Sequence, residues 1–246
     1  ALRGHKVSLY ERENVLAKEL SIAAKAPRRG DFEEVRRYYT YQMELLGVDV
    51  HLGLPVTQEM VIQQNPDVVI VATGAKPFIP KVDGAESGHV VEMRQVLQEE
   101  VEVGQNIIIV DYQNHIYGLD TAEFLADRGK KVELLTESVY AGGMVDYHTI
   151  WSAYTNVLSK GVVITPLTGV KEIRGKTVVV YNVLTNAERL IEEVDSVVFC
   201  TDGRADDALY RSLKGKVKEL YEVGQCVSPR RLLDSIYDGA RIGRKL

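Results

Sequence analysis

Val68-Val-Ile-Val-Ala-Thr-Gly74 is a short apolar run, rich in β-branched side chains, that stops abruptly on small residues. A run of this length and composition reads as a strand covered on both faces, so other elements must do the covering. The preceding residues supply them. Lys6-Val-Ser-Leu-Tyr-Glu11 reads as a short strand closed by an acid, and Phe32, Val35, Tyr39, Met43 and Leu46 recur at helical spacing. Gly47 stops that helix, Val48-Asp-Val-His-Leu52 alternates like a strand, and Val56–Gln64 is a helical segment broken by Pro66. Strand, helix, strand, helix, strand predicts a parallel sheet with helical crossovers.

The pattern then begins again. Gly74 to Gly88 is rich in Pro and Gly and reads as a linker, and a second unit opens at Ile107-Ile-Ile-Val110. Its helix carries Leu119, Ala122, Leu125 and Ala126 and stops near Gly129, before a strand at Val132–Leu135. The next helix puts Ile150, Trp151, Tyr154, Val157 and Leu158 on one side, stops at Lys160-Gly161, and leads to Val162–Thr165. Val170–Ile173, Thr177–Asn182 and Leu190–Glu193 read as short antiparallel strands, with a hairpin turn at Arg174-Gly175. Buried-type strands return at Val197–Cys200 and Leu220–Val223. An amphipathic helix from Pro229 to about Gly243 closes the chain, with Leu232, Leu233, Ile236, Ala240 and Ile242 available to pack on a sheet. The expectation is an α/β fold of two units, 1–85 joined by 195–246, with 86–194 inserted between them.

At 246 residues the chain can bury one large core or two ordinary ones. Its net charge is −5 with acids and bases mixed, which argues against nucleic acid. The pairs Arg28-Arg29 and Arg36-Arg37 read as solvated surface. The longest apolar run falls far short of the roughly 20 residues that span a bilayer, and no signal peptide is visible, so no membrane is implied. Cys200 and Cys226 have no CxxC partner and no histidine at metal-ligand spacing, so no metal site is predicted. Cys200 reads as a small buried hydrophobe, and the cysteine usage fits a reducing, cytoplasmic setting. Ala1-Leu-Arg-Gly-His5 reads like the end of a helix stopped by Gly4, so a further segment is expected upstream.

Three features carry chemistry. Glu11 closes its strand where, in a nucleotide-binding βαβ unit, a carboxylate accepts hydrogen bonds from ribose hydroxyls; a strand merely ending in a charge is the plainer alternative. Ala72, Thr73 and Gly74 allow a sharp backbone turn beside a dinucleotide, and Pro77 and Pro80 stiffen the exit; a plain buried strand and turn is the alternative. Gly224 follows a strand and precedes the helix at Pro229, whose unpaired N–H groups suit a phosphate or a flavin carbonyl; simple packing is the alternative. His5, His51, His89, His115 and His148 are scattered, and no catalytic constellation emerges. Tyr38, Tyr39 and Tyr41 suggest packing or an interdomain surface, and Ala141–Met144 a flexible turn.

The order of these features resembles the C-terminal half of the bacterial flavoproteins related to old yellow enzyme, a family that includes 2,4-dienoyl-CoA reductase, trimethylamine dehydrogenase and N-methyl amine demethylases. The resemblance covers essentially the whole chain. It implies two Rossmann-like, FAD/NAD(P)-binding domains, the second inserted into the first, behind an N-terminal barrel that holds FMN and an iron–sulfur cluster. It sets Glu11 at the adenosine ribose of FAD or ADP, Ala72-Thr73-Gly74 along the dinucleotide, and Gly224, Gln225, Pro229 and Arg230 by the flavin. The first strand and its GxGxxG turn are then missing upstream. Ala17-Lys18 stands where the family often has Gly-Gly, and Gln225 where it usually has Asp. In the inserted unit the glycine pattern falls on Gln113-Asn-His-Ile-Tyr-Gly118 and the ribose carboxylate on Thr136, beside Glu137, which makes NAD(P)H a poor fit. The resemblance implies an electron-transfer portion of an oxidoreductase, inactive alone, partnered by the barrel and by a protein electron carrier, with a homo-oligomer compatible. A degenerate nucleotide-fold module for assembly or docking, binding no cofactor, is the competing expectation.

Overall fold

A computed structural model describes residues 1–246. The chain runs through β1 (Ser8–Tyr10), α1 (Lys18–Ala23), α2 (Asp31–Leu45), β2 (Asp49–His51), α3 (Gln58–Gln64), β3 (Val68–Val71) and β4 (Ala75–Lys76). It continues with β5 (Val90–Glu92), α4 (Met93–Leu97), β6 (Asn106–Asp111), α5 (Ile116–Ala126), β7 (Lys131–Thr136), α6 (Tyr147–Ser159), β8 (Val163–Thr165), β9 (Thr168–Arg174), β10 (Thr177–Asn182), β11 (Glu188–Ile191) and β12 (Ser196–Cys200). It ends with β13 (Arg204–Ala205), α7 (Ala208–Leu213), β14 (Glu219–Glu222), a short 3-10 turn (Gly224–Cys226) and α8 (Leu232–Lys245).

Two compact units result. The first comprises Ala1–Ser21, Asp31–Lys76 and Asp202–Leu246; the second comprises Ile22–Gly30 and Pro77–Thr201.

The second unit is layered. A five-stranded parallel sheet has the order β5-β12-β6-β7-β8. Side chains alternate across it, as strand geometry requires. Ile107 and Ile109 of β6, with Val198 and Cys200 of β12, enter a core shared with α4, α5 and α6. Ile108, Val110, Val197 and Phe199 enter the opposite core, against Val170, Ile173, Val178 and Val180 of an antiparallel sheet ordered β11-β10-β9. With both faces covered, near-continuous apolar strands follow.

In the first unit β1 pairs with β2 and β3 with β14, both parallel, as two separate two-stranded sheets; β4 and β13 form an antiparallel ribbon. Val71, Leu213 and Cys226 make a small core with Val61 and Leu220 packed against it.

Several expectations are corrected. Val197–Cys200 lies between β5 and β6, so the boundaries fall at Lys76/Pro77 and Thr201/Asp202 rather than at 85 and 195. A wholly apolar strand says that both its faces are covered, not which sheet covers them. The Pro- and Gly-rich stretch after β4 is fixed to the second unit: Ile173 N donates to Asp83 O at 2.8 Å, and Ile79, Val82 and Ala85 pack on its core. The inward side of α6 is Ala153 and Val157, while Trp151 and Leu158 are exposed. Arg28 and Arg29 are no simple solvated pair, because they bind Glu123 and Asp120 on α5. Finally, α8 starts at Leu232, not at Pro229: Asp234 accepts the Arg231 N–H at 3.2 Å and caps the helix there.

Candidate functional site

In the first unit, β3 and β14 run parallel and end together, Val71 opposite Glu222. The turns leaving them therefore emerge at one edge, where α/β sheets place their ligands. Val223 N donates to Val71 O at 3.0 Å, and the Cys226 thiol donates to the same carbonyl at 3.2 Å, locking the second turn to the end of β3. Ala72 and Thr73 are exposed. Gly74 has φ +74°, and no atom lies within 4 Å of where its Cβ would stand, so the backbone beside it is open to a ligand.

Gly224 has φ +70°, and a Cβ there would stand 3.2 Å from Ser235 Oγ. Its N–H donates to Asp238 Oδ2 at 3.2 Å, and Arg230 Nη2 donates to the same oxygen at 2.6 Å. Burial pushes the Asp238 carboxyl up, but the Gly224 and Arg230 bonds outweigh it and hold the group below the usual carboxylate range. Gln225 turns back on its own loop, donating Nε2 to Arg230 O at 3.4 Å. Pro229 and Arg230 belong to that loop rather than to a helix start.

Glu11 follows β1. Its Oε1 accepts the Glu13 N–H at 2.9 Å, and its backbone carbonyl accepts from Leu54 at 2.9 Å. Asp206 connects this corner to the glycine turn. Its carboxylate lies 3.9 Å from Arg12 Nη1 and 3.0 Å from Lys76 Nζ; its N–H donates to Gly74 O at 3.0 Å, and its carbonyl accepts the Thr73 hydroxyl. Neither Asp206 nor Asp238 is visible as a site residue in the sequence: Asp206 acts on a turn 133 residues away, and Asp238 acts from inside the last helix on the loop before it.

The donor set fits a flavin–adenine dinucleotide at its two ends. A carboxylate, Glu11, follows β1, and a left-handed glycine in open space follows β3. The pattern GxGxxG does not occur within these 246 residues. No helix is long and apolar enough to cross a membrane.

Residues 3–223 match the family described as pyridine nucleotide-disulphide oxidoreductase. An N,N-dimethylglycine/sarcosine dehydrogenase of Chromohalobacter salexigens is 28% identical, over 98% of this chain and 40% of its own length. A metal reductase of Desulforamulus reducens is 29% identical, over 96% of this chain and 40% of its own length. The chain thus spans well under half of either relative. A 2-naphthoyl-CoA reductase solved with 2-naphthoyl-CoA superposes with a TM-score of 0.91 at 27% identity, covering 100% of this chain and 37% of that one.

Proposed function

We infer the function from family membership, since the chain belongs to the pyridine nucleotide-disulphide oxidoreductase family in the form carried by flavoproteins related to old yellow enzyme. It is the cofactor-binding and electron-transfer portion of an NADH:flavin oxidoreductase-like or amine or betaine demethylase-like flavoenzyme. A catalytic FMN barrel with an iron–sulfur cluster completes that enzyme, and a protein carrier exchanges electrons with it. The observation that carries this is the meeting of two left-handed glycine turns, Gly74 and Gly224, at the common end of β3 and β14.

FAD or ADP would be held with Glu11 toward the ribose, Ala72-Thr73-Gly74 along the dinucleotide, and Gly224 and Gln225 by the flavin. When bound, FAD supplies reversible electron storage. Asp206 and Asp238 position the turns that line it. A second reading, a module that binds no cofactor and serves assembly, is favoured by one contact: the Gly224 N–H is already spent on Asp238.

The test is flavin absorbance of two purified proteins: the 246-residue chain, and a longer one in which a strand and a GxGxxG loop precede it. The extended protein is expected to retain FAD or ADP, and the shorter one to bind weakly or not at all. An extended protein that takes up no adenine nucleotide selects the second reading.

A further inference from the structure

A pyridine dinucleotide at the end of β6 would need the N–H groups of the turn into α5 to face its pyrophosphate. Two of those groups are taken from within. Asp111, the last residue of β6 and 3% exposed, accepts the Gln113 and Asn114 N–H groups on Oδ1, each at 3.2 Å. Gly118 of α5 closes over that carboxylate, for a Cβ there would stand 2.9 Å from Asp111 Cγ.

The turn is also held from outside. Asn114, left-handed at φ +51°, accepts the Gly143 N–H on Oδ1 at 2.8 Å and the Met144 N–H on its carbonyl at 3.0 Å. Gln113 is buried beside it, with neither amide atom hydrogen-bonded. At the ribose position Thr136 is buried, and its hydroxyl accepts the Ser138 N–H at 3.3 Å.

We infer that Asp111 is an internal anion standing where a pyrophosphate would stand, and that the inserted unit accordingly takes no pyridine dinucleotide. Each N–H has one hydrogen to give, so a phosphate must first break the Asp111 bonds. It would then face a buried carboxylate at close range, and like charges repel. The dipole of α5, which would stabilise a phosphate, already stabilises Asp111. Family membership implies a pyridine nucleotide, and the residues of this unit do not fit one.

The test is calorimetric titration of NADH and NADPH into the protein, with amide exchange at Gln113 and Asn114 followed by NMR. No saturable binding is expected at millimolar nucleotide. Asp111→Ala should speed exchange at both amides about tenfold or more, as loss of a charge-assisted hydrogen bond requires. Asp111→Asn, which keeps the shape, should speed it less, and carries the test if the alanine variant does not fold. Saturation at micromolar nucleotide overturns the inference, as does exchange at wild-type rates in either variant. Flavin binding to the first unit enters neither readout, so failure here is distinguishable from failure of the proposed flavin site.

Discussion

Arg28 grips both carboxylate oxygens of Glu123 with its two terminal nitrogens, across 95 residues of sequence. Glu123 is 1% exposed and receives Lys160 Nζ at 2.7 Å as well. Arg29 holds Asp120, three residues earlier on α5, at 2.8 Å and 3.2 Å. These pairs fasten Ile22–Gly30 to the second unit, and Ile22 and Ala26 enter its core.

The two acids respond to pH with opposite signs. Burial raises Glu123, but the hydrogen bonds from Arg28 and Lys160 outweigh it, and the net shift is down. Its stabilisation is therefore complete above the ordinary carboxylate value and is lost as pH falls through the depressed folded value. For Asp120 burial prevails over Arg29 and the shift is up, so its ionisation costs stability as pH rises past the ordinary value. Glu123→Gln should lower stability by about 2–4 kcal/mol at neutral pH, because two cations lose a buried partner. The deficit should shrink as pH falls below the ordinary carboxylate value and through the depressed folded one, where wild-type Glu123 itself protonates. Urea denaturation at neutral and acid pH measures this; equal stability at neutral pH would refute it.

Ala17, next to Lys18 where the family often has Gly-Gly, adopts φ +52°. A left-handed alanine costs about 1–2 kcal/mol, and glycine gives back about 0.4–1 kcal/mol in chain entropy. Ala17→Gly should therefore stabilise the first unit by about 0.5–1 kcal/mol. A raised thermal midpoint would bear this out, and a lowered one would mean that the turn has some other need for the alanine methyl.

Gly224→Ala should act in the opposite direction. It forces φ +70° on an alanine and sets a Cβ 3.2 Å from Ser235 Oγ. The expected loss is about 1–2 kcal/mol, of which Ser235→Ala relieves only the steric share. In the extended protein the same substitution should weaken FAD or ADP retention, read by absorbance after gel filtration. Unchanged retention would remove Gly224 from the site.

What was legible in the chain follows from which forces act locally. The apolar run at Ile107–Val110 and the helical spacing of α2 are local, and both elements stand where the pattern put them. Strand partnership is not local: β12 has the same apolar texture as β3, yet pairs with β5 and β6. β5 and α4 leave no periodic signal, because three-residue Val90–Glu92 and five-residue Met93–Leu97 are too short for one; the Glu92–Gln95 capping box is the local signal they carry. In the site, the glycines could be read from backbone need. Asp206, Asp238 and Asp111 could not, since an acid's role depends on which N–H groups the fold brings to it.

The chain belongs to a pyridine nucleotide-disulphide oxidoreductase family, yet neither of its two thiols is placed for disulphide exchange. Cys200 is fully enclosed in β12 of the second unit, and Cys226 is 1% exposed in the small core of the first. Burial drives the Cys200 thiol well above its ordinary value, and the nearby Asp111 charge adds to the effect, so thiolate is scarce there. The Cys226 thiol is committed to the carbonyls of Val71 and Val223, at 3.2 Å and 3.1 Å. A nucleophilic redox thiol needs the opposite setting: partial exposure and a cation or a helix N-terminus to favour the thiolate. Both cysteines should therefore be silent toward an aromatic disulphide reagent in the native protein and both should react in denaturant. Cys200→Ser and Cys226→Ser identify each signal. Release of one equivalent of chromophore from the native protein within seconds would show that a thiol is available for exchange, and would return disulphide chemistry to this chain.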